Sequence, residues 1–242
     1  MLRSLTASLL FAAACGTSPV VDDLAGESAA DDQVDAKSDS PFAAGYTYYA
    51  ITADFRKCAS PYCGGYFVSR VNRTSTRCKD GSYHSACYTP TLDWTRTQLD
   101  ETLEQKLVDA ANQIDGTYAL VRGYFSAGPT SLGQFSVDEA WVAEGASAPD
   151  GVFVKVKDNG IRCITAPCPS LGEQALNTTR TANLSDLDFS VSDLSDREVQ
   201  GVQDDFYTGH GSILAGDRYY DNHAKGRTVT NAFHLLVAPT PP

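Results

Sequence analysis

Basic side chains are scarce in this sequence. Its 242 residues hold 19 Lys and Arg against 30 Asp and Glu, a formal net charge of −11. Nucleic-acid binding rests on phosphate neutralisation by cations, so this balance argues against such a partner. Long apolar runs are missing too. The run near the start, Leu5 to Ala14, falls well short of the roughly 20 residues that a membrane-crossing helix needs. There is no Gly-x-Ser-x-Gly elbow and no glycine loop of the phosphate-cradling kind. Only four histidines occur: His84, His210, His223 and His234. His210 and His223, with Asp217 or Asp221, offer ligands that suit zinc. Their spacing matches no ligand motif, so they read as surface-loop residues. Ser212 beside His210 lacks any order of nucleophile, base and acid. The expectation is a chain that is not an enzyme, with no catalytic residues, no metal and no cofactor.

What is present begins with an address. Met1-Leu2-Arg3, an apolar stretch and small residues before Cys15 make residues 1–14 a secretory signal. Ala12-Ala13-Ala14-Cys15 resembles a bacterial lipobox, where the mature chain begins on a lipidated cysteine. Lipid on Cys15 would anchor the chain to a membrane, since more than one acyl chain holds stably. Gly16 follows, where an aspartate would favour inner-membrane retention, so the expected location is the outer membrane. Residues 16–45 carry seven acidic residues against Lys37 alone. Such composition cannot offset its own ordering entropy. Residues 15–45 therefore read as the lipidated cysteine and a tether, reaching on the order of 30 Å.

Seven cysteines less Cys15 leave six in an oxidising compartment. They fall in a pattern that occurs twice. Lys57-Cys58 to Cys63 and on to Asn72-Arg73-Thr74, and Arg162-Cys163 to Cys168 and on to Asn177-Thr178-Thr179, both read basic-Cys-x4-Cys-x8-Asn-x-Thr at one constant offset. Further on, at a second and shorter offset, Leu92-Asp93-Trp94 falls on Leu187-Asp188-Phe189, Leu99 on Leu194 and Tyr124 on Tyr219. The difference between the offsets matches the length of Cys78 through Cys87, so the first copy carries a cysteine-bracketed insert. Cys78 and Cys87 are absent together from the second copy and most simply bond each other. Cys58 with Cys63, and Cys163 with Cys168, then become local staples. A four-sulfur zinc site at Cys58, Cys63, Cys78 and Cys87 is the rival, weakened because the second copy would lack two ligands.

Strand and helix periods follow this frame. Tyr46–Ala53 and Gly65–Val71 read as strands, and Asp80-Gly81 makes the insert a hairpin. Leu99, Leu103, Leu107, Ala110 and Ile114 recur at helical spacing, ended by Gly116. Tyr118–Phe125 and Phe135–Val142 close the first copy. In the second, Val152, Val154 and Val156 alternate, Ser195-x-x-Glu198 is a capping box, and Ile213–Tyr220 and Thr228–Val237 close it. The expected fold class is α+β: two tandem β-β-α-β-β repeats, each an antiparallel sheet with one covering helix, disulfide-stapled. The expected divisions are repeat 1 at 46–142, a linker at 143–151, repeat 2 at 152–238 and a tail at 239–242.

Ala53-Asp54-Phe55-Arg56-Lys57-Cys58, Cys63-Gly64-Gly65-Tyr66-Phe67-Val68, Asp158-Asn159-Gly160-Ile161-Arg162-Cys163 and Ala166-Pro167-Cys168-Pro169-Ser170 resemble an uncharacterised domain family of predicted myxobacterial lipoproteins. The resemblance covers residues 46–238. It implies a secreted, cysteine-stapled domain and supplies no activity or catalytic residue.

The candidate binding residues lie between the stapling cysteines: Ser60, Pro61 and Tyr62 in the first loop, Arg162, Thr165 and Pro167 around the second. A preorganised loop loses little entropy on binding. Two readings of these loops stay open. Either they secure turns in a lipid-anchored envelope protein with a non-catalytic binding or structural role, or they are presented to proteases at 59–62 and 164–167 by a secreted inhibitor. Tyr46, Tyr48, Tyr49, Tyr62, Tyr66, Tyr219 and Tyr220 offer contact surface for a protein or glycan partner in the envelope.

Overall fold

The computed structural model describes residues 47–97, 99–221 and 224–236. The signal segment, Cys15, the tether, Tyr46, His223 and the tail lie outside the described residues. The described residues all belong to one compact unit. In chain order the strands are β1 (Tyr48–Ala53), β2 (Tyr66–Arg70), β3 (Thr76–Arg77), β4 (Tyr83–His84), β5 (Cys87–Thr89) and β6 (Leu92–Asp93). Helix α1 (Glu101–Ala111) follows, then β7 (Ala119–Ser126), β8 (Gln134–Ala143), β9 (Val154–Asp158), β10 (Leu171–Ala175), β11 (Thr181–Leu184) and β12 (Asp186–Asp188). Helix α2 (Asp196–Asp205) and the strands β13 (Ser212–Asp221) and β14 (Ala224–Leu235) complete the chain.

These strands overturn the expected α+β fold of two tandem β-β-α-β-β repeats, each a sheet with one covering helix. One 12-stranded, mostly antiparallel sheet runs β11-β10-β9-β13-β14-β8-β7-β1-β2-β5, with β12 on β14 and β6 on β8 in parallel. Helix is a minor component, 11 residues in α1 and 10 in α2. The correspondence of Leu92 with Leu187 read from the sequence is therefore one of position within a single sheet, since β6 and β12 take the same place on β8 and β14. That of Tyr124 with Tyr219 is not: counted from the bulges at Gly123 and Gly216, Tyr124 stands at the register position of Asp217. The strand order reads the same inward from either edge and meets at β8 and β14, which pair through Phe233↔Ala143, His234↔Val142 and Leu235↔Trp141.

Two-sided burial is the physical reason for one sheet. On one face, Leu107, Ala110 and Ala111 of α1 pack with Tyr49, Ile51, Val121 and Val137. On the same face, Val202 and Phe206 pack with Val154, Val156, Leu214 and Val229. The opposite face carries Tyr48, Ala50, Leu120, Trp141, Ile213 and Phe233 in one buried cluster. Two one-sided modules would leave those side chains in water, and a large apolar side chain gains about 2 kcal/mol or more on burial. Joining β8 to β14 brings both halves of this second core together.

The sheet then closes on itself. Asn72 (φ 58°) and Asn177 (φ 60°) both sit in the left-handed region that asparagine tolerates better than most residues. Asn177 Oδ1 accepts from the Tyr48 N–H at 2.7 Å, and its Nδ2 donates to the carbonyls of Tyr48 and Val71. Asn72 does the same for the other half: its Oδ1 accepts from Phe153 N at 3.0 Å, and its Nδ2 donates to the carbonyls of Phe153 and Leu176. Each amide thus replaces a neighbouring strand at the first residue of β1 or beside β9. Tyr48 and Phe153 flank opposite ends of the six-strand run β9-β13-β14-β8-β7-β1, so bridging them curls that run around the second core.

Local signals account for the element ends. Asp100 caps α1 by accepting from Leu103 N, and Ser195 and Glu198 form the expected capping box of α2. The first helix stops at Ala111 with Asn112 as its cap, short of the expected Ile114, which is 85% exposed. The insert is a hairpin, with Thr76↔His84 and Arg77↔Tyr83 paired.

Candidate functional site

The stapled loops join β1 to β2 and β9 to β10. Cys58 bonds Cys63, Cys163 bonds Cys168, and Cys78 bonds Cys87 across the hairpin. Within the first loop the Arg56 guanidinium forks onto the buried Asp54 carboxylate, Nη2 to Oδ2 at 2.8 Å, and holds that acid below its usual range. Arg56 also lies over the rings of Phe67 and Tyr88, 4.9 and 5.3 Å from their centroids. The Tyr88 hydroxyl donates to the Pro61 carbonyl at 2.8 Å. Ser60 and Tyr62 are exposed and Pro61 is half-buried.

In the second loop Arg162 forks onto Asp158, at 2.8 and 3.0 Å, and holds that carboxyl below its usual range. Arg162 is therefore occupied by a partner at the end of β9. Thr165 and Pro167 are exposed, and Ile164 between them and Cys163 stands fully in solvent at 104% relative exposure. Both Ser60–Pro61 and Ala166–Pro167 peptide bonds are cis. Five antiparallel pairings separate β1 from β9, so the two strands run in opposite directions and their loops leave opposite ends of the sheet. One partner surface cannot engage both loops in the same way.

A second constellation lies inside the curled run. Glu139, 3% exposed, receives Arg122 Nη1 on Oε1 at 3.1 Å. Its Oε2 accepts from Trp141 Nε1 at 3.2 Å and from the Tyr48 hydroxyl at 3.3 Å. Lys155 donates to Tyr48 Oη at 3.2 Å and sits over the Trp141 ring, 5.1 Å from its centroid. Burial pushes the Lys155 ammonium down to about 8, with Glu139 opposing. Burial, then Glu139, raises the Tyr48 phenol far above its ordinary value. The carboxylate thus accepts from three side chains on three different strands. At the same register positions in the other half stand Phe153 for Tyr48, Ala50 for Lys155, Ala215 for Arg122 and Asn231 for Glu139. The fold therefore does not require charge there.

Sequence reasoning missed this cluster. Lys155 lies between Val154 and Val156, where alternation assigns it to solvent in a one-sided sheet. Glu139 beside Ala140 and Trp141 is the signal that could have found it: an acid inside an apolar strand.

The other sequence candidates are dispersed. Ser212 is fully buried and donates its hydroxyl to the Val202 carbonyl at 3.1 Å. His210 is half-buried, its imidazole pushed down by burial and then by Lys155. Asp217 and Asp221 are exposed on β13. Among the described residues no three His, Cys, Asp or Glu side chains are placed to share a metal ion. Tyr48 and Tyr49 are buried, whereas Tyr62 and Tyr220 are 65% and 63% exposed.

The family model of a domain of unknown function, DUF6748, matches residues 47–240. The chain belongs to the DUF6748 family. That match covers both halves of the DUF6748 sheet, and the resemblance drawn from its cysteine stretches to an uncharacterised family holds. No curated protein and no solved structure matches the chain. Three disulfides in this DUF6748 domain point to an oxidising, extracytoplasmic environment. No helix among the described residues is long and apolar enough to cross a membrane.

Proposed function

We propose that this DUF6748 protein is a lipid-anchored envelope protein of the outer membrane, with a non-catalytic binding or structural head. Cysteine pairing carries the reading. The six head cysteines are bonded to one another, which leaves Cys15 as the one cysteine of seven without a partner in the chain. It stands directly after the small residues of an apolar leader. The acidic tether of residues 15–45 then holds the stapled sheet off the lipid surface. The head meets a protein or glycan partner of the envelope. Intact-mass analysis of the protein from membrane fractions tests this. A mature chain beginning at Cys15 with an acyl mass increment is expected. An N-terminus elsewhere, or an unmodified Cys15, removes the anchor.

One observation favours a second reading, a secreted protease inhibitor. The six-residue ring Cys163–Cys168 presents the aliphatic Ile164 wholly to solvent beside the exposed Thr165. Because Asp158 holds Arg162, Ile164 and Thr165 are the side chains free to enter a specificity pocket. Slowed turnover by a serine or cysteine protease, relieved by Ile164→Asp or Thr165→Asp, is the expected result for an inhibitor. Unchanged turnover across a protease panel discards it.

A further inference from the structure

Strand β6, the start of β8 and the first turns of α1 enclose a shallow, open notch of about 590 Å³. Trp94, Leu99, Asp93, Thr95, Glu104 and Gln134 line it. Trp94 and Leu99 also pack against the α1-side core, so the apolar wall is rigidly backed. Asp93 accepts from Thr95 N and Oγ1 at 3.1 and 2.8 Å, from Gln134 Nε2 at 3.1 Å and from Ser136 Oγ at 3.0 Å. Its carboxylate is thus spent on fixing the Thr95 hydroxyl and the Gln134 amide at the rim. Two polar groups remain unspent. Neither the Trp94 indole N–H nor the Glu104 carboxylate has a side-chain partner among the described residues.

An indole wall, one free donor and acceptors held in place suit a ligand that has apolar C–H faces and hydroxyls that both give and take hydrogen bonds. Two carboxylates at the notch, in a chain of net charge −11, repel an anion. We infer that this notch binds a neutral saccharide, with the sugar ring against Trp94 and its hydroxyls on Glu104 and Gln134. The inference rests on the reading of the head as a binding module of the envelope and names its ligand class.

Full-length protein titrated with chitotetraose and cellotetraose tests it by tryptophan emission. The chain has two tryptophans, and Trp141 is fully buried, so a ligand-induced change reports Trp94. A saturable change is expected with at least one probe. Trp94→Ala should weaken binding by about tenfold or more, and Glu104→Gln by several-fold with an unchanged melting curve. Because Trp94→Ala also removes core packing, Glu104→Gln and Thr95→Val on the rim serve as folded controls. No saturable change at millimolar saccharide overturns the inference. So does unaltered affinity in the Glu104 and Thr95 variants, or saturation by a mixed tripeptide library alone. A lipidated Cys15 with no saccharide binding removes the notch and leaves the anchor. Saccharide binding with an unmodified Cys15 does the reverse.

Discussion

Asn72 and Asn177 each make three amide hydrogen bonds, two to the backbone of Phe153 or Tyr48 in the other half of the sheet and a third to the carbonyl of Leu176 or Val71. Alanine at either position loses all three and also meets the steric cost of a left-handed backbone. Asn72→Ala should destabilise the protein by about 3 kcal/mol. Asn72→Gly, which relieves only the backbone term, should cost about 1 kcal/mol less. Urea denaturation of the two variants measures the difference, and equal losses would mean that the backbone term is negligible. Lys155 makes a different test at the same scale. Its ammonium is pushed from 10.5 down to about 8, so the unfolded chain holds more protons between those values. Stability from this group therefore rises with pH across that window. Below it both states are protonated and the full penalty, on the order of 3 kcal/mol, is present. Lys155→Met should stabilise the protein at pH 7, and the gain should shrink from about pH 8 and vanish above about 10.5. A gain independent of pH would show that packing, not charge, separates the two proteins.

At the scale of elements, the turns and staples do local work. The hairpin of β3 and β4 is closed by Cys78–Cys87, and Cys87 is 2% exposed. In the chain-entropy model a ring of that length contributes about 3 kcal/mol and each six-residue staple about 2 kcal/mol. Replacing Cys78 and Cys87 by alanine should lower stability more than replacing Cys163 and Cys168, whose ring lies in solvent. Paired denaturation curves give the order, and a larger loss from the exposed ring would contradict it. The strands themselves carry a shared irregularity. Register slips at Gly123 in β7 and at Gly216 in β13, each time opposite one extra residue of the neighbouring strand. A Cβ at Gly123 would meet the Ser136 carbonyl at 2.1 Å, and one at Gly216 the Thr228 carbonyl at 1.9 Å. The extra residues are Asp138 and Thr230, so the bulges bend β8 and β14, the two strands that join the halves in the run that curls round the second core.

For the whole molecule, the two halves differ where charge is buried. Glu173 is fully buried and bonds Arg227 Nε at 2.8 Å, and it also pairs with Arg218. Val68, Phe135 and Phe125 stand at the same register positions in the other half. Glu173→Val alone should cost about 3–5 kcal/mol, because it strands a buried guanidinium. Adding Arg218→Phe and Arg227→Phe copies the apolar set and should recover most of that loss. Urea midpoints of the single and triple variants decide this, and a triple variant no better than the single one would show that the ion pairs are required.

Much of the molecule was legible in its residues. The bonding partners of six cysteines, the capping box at Ser195 and the hairpin turn at Asp80-Gly81 followed from spacing and turn chemistry, because each depends on neighbours close along the chain, and the family followed from the resemblance of the cysteine-flanking stretches. The helix end was over-read, since Ile114 keeps the apolar period past the point where Asn112 caps α1. The larger misreading was architectural. Alternation in β1 and β9 shows which side chains share a face, but not that the second face is buried as well. Only the pairing of β8 with β14 and the reach of Asn72 and Asn177 across the chain decided that there is one curled sheet. The same contacts bring Tyr48, Glu139 and Lys155 together from three distant strands. Long-range pairings of this kind are set by which apolar faces can cover one another, and no local pattern of residues encodes that choice.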